Sequence, residues 1–245
     1  MTRGEGGDVM ADTGTRETVR VTDVIDVTWE PRRVAAVEPL LPDGVTPPGT
    51  RGRILQAALG LFAATGFAGT SIRQIGAAAG INSATLYAHF TAKEQILAEL
   101  IRIGHEELHA RLEEAAGSAD PADHAGRVAA IVRAHVGLHA DYPLLATVAN
   151  TELHALSPQL AAGALRLRAR SRQLLIAAIR DGAKAGAFDL ADADDVILTA
   201  TAIGAIGMRV AQWFGPDQPF SRDKVADHHA WLALRMLGAY RKDRP

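Results

Sequence analysis

From position 51 onward the chain repeats one pattern, in which apolar residues at helical spacing are broken at intervals by Gly, Pro or Asp. Segments that alternate Val, Ile and Thr, as strands do, are rare, and alanine is abundant. The pattern therefore predicts an all-α fold. The first apolar stripe falls at Ile54, Leu55, Ala58, Leu61 and Phe62.

Composition narrows the classes of protein. With 245 residues, of which 48% are hydrophobic, the chain can bury a sizeable core. The absence of cysteine excludes disulfides, thiolate zinc sites and cysteine nucleophiles. No uncharged apolar stretch approaches the roughly 18 residues of a membrane span, and the first residues lack a signal-peptide core. We expect a cytoplasmic protein that does not associate with membranes and needs no cofactor.

Three regions can be distinguished along the chain. Residues 1–48 are acidic and rich in Pro and Gly, so we predict a disordered extension. The strand-like run 19–28 inside it is interpreted as tail or a weak edge strand, because a lone strand has no partner. Residues 49–110 are predicted to form one helical domain and residues 111–245 a larger one.

Two short helices joined by a tight turn are predicted within the first domain. Thr70 is a suitable N-cap for a helix over 71–79, and Gly80 follows in the position that often ends a helix. Asn82 can then cap a second short helix over 83–90. This arrangement is typical of a helix-turn-helix, the element that many proteins place in the major groove of DNA.

The helices that follow are longer. Thr91 and Glu94 have the spacing of a capping box and predict the start of a fourth helix that runs toward Arg111. Prolines at positions 121, 143 and 158 suit the first turns of later helices. The remaining predicted helices cover about 122–140, 142–155, 158–186, 192–214 and 221–240.

Charge also singles out the helix-turn-helix. Residues 51–93 contain Arg51, Arg53, Arg73 and Lys93 but no Asp or Glu, as expected of a surface that faces a polyanion. Solvated faces of a small helical bundle would explain the same charges. The residues expected to contact DNA bases or phosphates are Ser71, Arg73, Asn82, Ser83, Ala84, Thr85, Tyr87, His89 and Lys93.

The run from Thr70 to Phe90, with Lys93 beyond it, resembles the DNA-binding signature of the TetR/AcrR family of bacterial regulators. Residues 54–67 resemble that family's first helix. The resemblance implies that residues 83–85 contact bases with help from Arg73, and that Tyr87, His89 and Lys93 contact the phosphate backbone. One departure is Gly76, where the family has alanine, and we expect it to let the first helix pack closer.

The resemblance also implies a homodimer whose last two helices form the interface. Residues 192–214 carry small residues that let helices approach, although two internal core helices would show the same pattern. The helix over 221–240 is expected to present one broad apolar face. That face would comprise Val225, His228, His229, Trp231, Leu232, Leu234, Met236 and Leu237.

The same family encloses an effector in its larger domain. The C-terminal runs 204–214 and 220–227 are similar to a branch of the family that includes actinobacterial regulators of lipid and steroid breakdown, which often respond to acyl-CoA thioesters. Arginines at 166, 168, 170 and 172 would suit CoA phosphates, but they alternate around a helix and are interpreted as solvated surface. No metal site is predicted. The candidate effector residues are His135, His139, Tyr142, Asn150, Arg209 and Trp213.

Two other classes of protein, an enzyme and a structural DNA-binding protein, are alternatives to a regulator. An enzyme is disfavoured because no nucleophile elbow or phosphate-binding loop occurs, and the His105–His109 segment, which resembles a metalloprotease motif, is interpreted as a solvated face. A purely structural DNA-binding protein would bind with little sequence preference. The main hypothesis is a repressor that leaves a palindromic operator when a small hydrophobic or acyl-CoA-like effector binds.

Overall fold

The structure, a computed structural model, describes residues 37–215 and 218–239. Within these ranges the chain forms α-helices and one 3-10 helix (Leu153–Ala155) and no strand, so the prediction of an all-α fold is confirmed. The helices are α1 (Gly49–Gly69), α2 (Ile72–Ala78), α3 (Ser83–His89), α4 (Lys93–Ser118), α5 (His124–Asp141), α6 (Pro143–Thr151), α7 (Pro158–Lys184), α8 (Ala193–Met208), α9 (Val210–Trp213) and α10 (Arg222–Met236).

The starts of the two short helices depend on local side chains. The N-cap of α2 is Ser71 rather than the predicted Thr70, because the Ser71 hydroxyl accepts the Gln74 N–H and the Gln74 side chain accepts the Ser71 N–H. Asn82 caps α3 as predicted, with its Oδ1 accepting the Thr85 N–H at 2.8 Å. Gly80 adopts the positive φ of 67° that ends α2.

The tight packing at Gly76 involves the turn and α3, and the expected contact with the first helix is wrong. A Cβ added at Gly76 would lie 3.2 Å from the carbonyl oxygen of Ile81 and 3.8 Å from Leu86. The Gly76 carbonyl also accepts the Ile81 N–H at 2.9 Å. The glycine therefore brings the turn close to α2.

The capping box predicted at Thr91 and Glu94 is absent. The helix α4 begins after Ala92 without a side-chain cap, and the Thr91 N–H donates to Gln95. Glu94 instead accepts the backbone N–H of Ser157 at 2.6 Å, just before α7. The hydrogen bond between Glu94 and Ser157, which are distant in sequence, thus stands in place of the predicted local bond between Glu94 and Thr91.

Proline positions were partly predicted. Pro143 and Pro158 occupy first-turn positions of α6 and α7, as expected. Pro121 does not occupy a first-turn position. Asp123 caps α5 by accepting the Gly126 N–H, so the helix begins at His124, after the proline. The predicted helix over 192–214 is divided into α8 and α9 at Arg209.

We call α1 to α3 and the first half of α4 the head, and the second half of α4 with α5 to α10 the body. One core cluster joins the head to the helices α6 and α7 of the body. The segment 37–48, expected to be disordered, packs on this cluster through Val37, Leu41 and Val45, and Pro42 is buried. Residues 1–36, including the strand-like run 19–28, lie outside the described residues. A second cluster fills the space among α4, α5, α7, α8 and α10.

The helix α10 does not present one apolar face as predicted. Its inner face packs on α5 through smaller residues, and His228, Trp231 and Met236 are exposed. The buried side consists of Val225, Ala226, Ala230, Ala233 and Leu237.

The helix α8 also carries exposed apolar side chains, at Ile197, Leu198 and Ile206. The segment Ala193–Trp213 is long and apolar enough by length and composition to cross a membrane, and it is the single such segment in the described residues. In this fold α8 packs on α5 and α7.

Candidate nucleic-acid interface and cavity

The first turn of α3 is open to solvent. Asn82, Ser83 and Ala84 are exposed and Thr85 is partly exposed, while Leu86 behind them is fully buried. The buried leucine fixes which side of the helix faces outward. The predicted base-contacting residues 83–85 thus lie together at one end of a short helix that the head holds in place.

Two further predicted contacts flank this turn. Tyr87 is 52% exposed, so its ring and hydroxyl are accessible beside the first turn of α3. Arg73, on the first turn of α2, is exposed as well. The Ser71 hydroxyl, in contrast, is engaged in the α2 cap, where it both accepts from Gln74 N and donates to Gln74 Oε1.

Arg51 is not a free cation. Its Nε and Nη2 donate to the two carboxylate oxygens of Glu99, its Nη1 donates to the carbonyl of His89 at 2.9 Å, and its guanidinium lies over the Phe90 ring. Hydrogen bonding to Glu99 raises the pKa of Arg51. The acid-free window therefore overstated the positive charge of the head, because the neutralising carboxylate comes from outside residues 51–93.

Lys93 also has partners within the head. Its Nζ donates to the carbonyls of Phe67 at 2.6 Å and Thr70 at 2.7 Å, and it lies 4.1 Å from the centre of the Phe67 ring. Two of its three donors are thus used to hold the end of α1 against the start of α4. The structure gives Lys93 a supporting place behind the exposed face, which differs from its predicted contact with phosphate.

A cavity of about 230 Å³ lies in the body. Its wall is largely apolar and comes from α4, α5, α6, α7 and α8. Three of the predicted effector residues, His135, His139 and Asn150, line it.

The other three predicted effector residues lie elsewhere. Tyr142 is held between α5 and α6, with the Arg111 guanidinium 5.3 Å from its ring centre, and burial raises its pKa. Trp213 packs edge-on against Phe214 in the second core cluster, and Arg209 is exposed at the α8–α9 junction. The periodicity gave no sign of the break between α8 and α9 at Arg209, and neither Arg209 nor Trp213 is among the residues that line the cavity.

The cavity contains a group of neutral histidines. Burial lowers the pKa of His105 to about 4 and that of His135 to about 3, and burial also lowers the pKa of His139. His135 Nε2 donates to the carbonyl of Gly204 at 3.2 Å, and His139 Nδ1 donates to the carbonyl of His135 at 2.8 Å. His105 is 4% exposed, so the interpretation of the His105–His109 segment as a solvated face is wrong at its first residue.

Two arginines of α7 complete the wall on its solvent side. Arg168 and Arg172 line the cavity and are exposed, and Arg172 donates to the Thr201 hydroxyl at 3.0 Å. The interpretation of the four alternating arginines as solvated surface agrees with the exposure of these two, but it missed that they also line the cavity. Their spacing of four residues, which places them on one helix face, was the signal that would have identified them.

No group of three or more His, Asp or Glu side chains is placed to hold a metal ion in the part of the chain that the structure describes. His135 and His139 share the spacing of a metal-binding pair, and their ring centres are 4.5 Å apart. Each ring instead donates to a backbone carbonyl.

A helix-turn-helix with an exposed recognition helix, joined by the continuous helix α4 to a body with a cavity, defines a DNA-binding transcriptional regulator. Residues 54–100 match the family described as bacterial regulatory proteins, tetR family, and residues 121–237 match the tetracyclin repressor-like C-terminal domain. The chain belongs to the TetR family.

Individual relatives agree with this assignment. The transcriptional repressor KstR2 of Rhodococcus jostii is 26% identical over 193 residues, which are 78% of this chain and 92% of the relative. A tetR-family regulatory protein from Rhodococcus RHA1 is 30% identical, with a TM-score of 0.72 over 80% of this chain and all of that one. AibR, solved with isovaleryl coenzyme A and operator DNA, shares the fold at 21% identity and a TM-score of 0.65, over 73% and 95% of the two chains.

Proposed function

We propose that the protein is a ligand-responsive, sequence-specific repressor that acts in the cytoplasm and leaves a palindromic operator when an effector enters the cavity. The observation that carries this proposal is the course of α4. Its first half packs in the head through Ile96, Leu97 and Leu100, and its middle lines the cavity at His105 and Leu108. A ligand that favours another position of α4 therefore changes the position of the head.

The recognition surface follows from the exposed first turn of α3. We infer that Ser83, Ala84 and Thr85 contact base edges with Arg73, and that Tyr87 and His89 contact phosphates. Ser71 and Asn82 hold the two helix starts at the same surface. Lys93 supports the surface from the α1 side through its two carbonyl contacts.

A homodimer is part of the proposal. The exposed apolar side chains of α8 and α10 supply a surface of the kind that obligate interfaces bury. A twofold dimer also places two recognition helices about one turn of DNA apart, roughly 34–36 Å, which matches a palindrome.

The effector is proposed to be small and hydrophobic or acyl-CoA-like. The cavity of about 230 Å³ is small beside the roughly 300–1,000 Å³ of drug-sized sites, so only a short apolar part fits inside. Arg168 and Arg172 at its solvent side offer cations to a carboxylate or phosphate. The fold shared with AibR is one that accommodates both an acyl-CoA and DNA.

Fluorescence anisotropy with the full-length protein tests the DNA part. We expect a duplex from the region upstream of its own gene to bind more tightly than a shuffled duplex, and Thr85→Ala to reduce that preference about tenfold. Tyr87→Phe should weaken binding to both duplexes, because it removes a phosphate contact. Thr151→Ala, an exposed threonine on α6, serves as control. Equal affinity for both duplexes would favour a structural DNA-binding protein instead.

A further inference from the structure

The buried end of the cavity presents hydrogen-bonding atoms without partners, and their chemistry limits the effector. A backbone carbonyl only accepts, so His139 Nδ1, which is bonded to the His135 carbonyl, carries the ring proton. Burial keeps the pKa of His139 low and the ring neutral. Its Nε2 is therefore an acceptor without a proton.

His105 offers the complementary atom. Its ring lines the same cavity with 4% of its surface exposed, and its Nε2 has no hydrogen-bond partner among residues 37–215 and 218–239. A buried polar atom without a partner is rare in folded proteins, and this one lies in a cavity wall, where a ligand group can reach it. A neutral imidazole can carry its proton on either nitrogen, and in the tautomer with the proton on Nε2, His105 donates where His139 accepts.

A hydroxyl group is the ligand group that satisfies both histidines, because it donates one hydrogen bond and accepts others. A carboxylate only accepts, so it leaves the protonless Nε2 of His139 without a donor. A methyl end leaves both nitrogens without partners.

The solvent side of the cavity has the opposite character. Arg168 and Arg172 are exposed there, four residues apart on α7, and, beside burial, the charge of Arg168 contributes to the low pKa of His105. An anionic group matches this side.

We propose that the effector is a chain-like hydroxy acid, with its hydroxyl between His105 and His139 and its anionic group at Arg168 and Arg172. This inference rests on the proposed function of the cavity as the effector site. It adds the orientation of the ligand and the group that the protein recognises at the buried end.

Isothermal titration calorimetry on the full-length protein without DNA tests the inference with three probes of equal chain length. These are omega-hydroxyoctanoate, octanoate and octanedioate. We expect the hydroxy acid to bind at least about tenfold more tightly than octanoate, and octanedioate to bind more weakly than octanoate. Equal binding of the hydroxy acid and octanoate, tighter binding of octanedioate, or no binding of any probe overturns the inference.

Variants assign the preference to the two histidines. His139→Phe should remove the preference for the hydroxyl while octanoate binds within about twofold of wild type. His154→Phe, an exposed histidine outside the cavity, should leave the preference unchanged. Arg172→Gln should weaken the hydroxy acid and octanoate equally and preserve their ratio. If His139→Phe does not fold, His105→Phe makes the same test, and a retained preference in the folded variant overturns the inference.

A separate anisotropy titration of the probe into the protein–operator complex distinguishes the two proposals. A hydroxy acid that binds preferentially but does not release the operator contradicts the proposed function and leaves the ligand inference standing. Release by octanoate as efficient as release by the hydroxy acid contradicts the ligand inference and leaves the proposed function standing.

Discussion

Arg51 connects three elements of the head with one side chain. It ties α1 to Glu99 of α4 and to the last carbonyl of α3 at His89, and it covers the Phe90 ring. Glu99 is only 13% exposed, and its other cation, Arg102, approaches no closer than 4.0 Å. The position of the recognition helix relative to α4 thus depends on a partly buried ion pair.

Arg51→Met is expected to lower the free energy of unfolding by about 1–2 kcal/mol, because it removes the bond to His89 and leaves the Glu99 carboxylate without its main partner. Urea unfolding measures the change. Arg53→Met is the matched control, since Arg53 is exposed and its one hydrogen bond within residues 37–215 and 218–239 is to the nearby Thr50 hydroxyl. Equal stability of the two variants would show that the ion pair contributes nothing.

Gly207 on α8 makes room for a histidine of the cavity wall. A Cβ at this position would lie 2.8 Å from His135 Nε2. The ring lies between α5 and α8 and donates to the Gly204 carbonyl, so moving it away would break that hydrogen bond. Gly207→Ala should therefore lower the unfolding free energy by about 1–3 kcal/mol through overpacking.

Gly204→Ala is the control on the same helix, because nothing lies within 4 Å of a Cβ added there. It should be neutral or raise stability by up to about 1 kcal/mol, as alanine favours a helix over glycine. Thermal unfolding of both variants gives the comparison. Destabilisation by Gly204→Ala as large as that by Gly207→Ala would contradict the steric argument.

At the scale of the helix, similar capping patterns had different outcomes. Ser71 and Gln74 cap α2, whereas Thr91 and Glu94 do not cap α4. The Glu94 carboxylate accepts from Ser157, and this hydrogen bond lowers its pKa. A sequence pattern shows only the hydrogen bonds that Glu94 can make with its neighbours in sequence. The backbone N–H of Ser157, which is distant in sequence, is a further donor, and Glu94 accepts from it instead.

Ser71→Ala should accordingly lower the unfolding free energy by about 1 kcal/mol, because the first turn of α2 loses its side-chain acceptor. Thr91→Ala, at the site of the predicted but absent cap, should change it by less than about 0.5 kcal/mol. Chemical denaturation of the two variants decides between them. A larger effect at Thr91 would mean that α4 is capped as the sequence pattern predicts.

The difference between contacts that are local in sequence and contacts that join distant residues also explains which parts of the site the sequence predicted. The recognition helix was predicted because its cap, turn and buried leucine lie within a few residues of one another. The cavity was predicted in part, since its wall combines residues from five helices, and contacts such as His135 with Gly204 join positions 69 residues apart. His105 carries no local mark that separates it from surface residues of an amphipathic helix.

For the whole molecule, the buried histidines predict a dependence of stability on pH. The pKa of His105 is about 4 and that of His135 about 3 in the folded protein, against 6.5 for the unperturbed side chain. The unfolded chain therefore binds protons first, so stability is complete above about pH 6.5 and falls as the pH decreases toward 4. Each histidine should remove about 1–2 kcal/mol between pH 6.5 and pH 5, above the range in which most carboxylates titrate.

Urea unfolding at pH 7, 6 and 5 measures this loss. The His105→Leu variant should lose less stability over the same range, and the His154→Ala variant, which alters an exposed histidine, should follow the wild type. A wild-type protein equally stable at pH 7 and pH 5 would contradict the assignment of these histidines as buried and neutral.

The helices α8 and α10 share a surface with exposed apolar side chains. Leu198 is 66% exposed and Ile197 is 42% exposed on α8, while Trp231 is 37% exposed on α10. If this surface forms the proposed dimer, Leu198→Glu should yield a monomer, because a charge in an apolar interface is desolvated without a partner. Its operator affinity should fall by at least about tenfold, since one recognition helix then binds alone. Leu165→Glu, at a leucine 49% exposed on α7, is the control and should remain a dimer. Analytical ultracentrifugation gives the mass of each variant, and a Leu198→Glu protein that sediments as wild type places the interface on another surface.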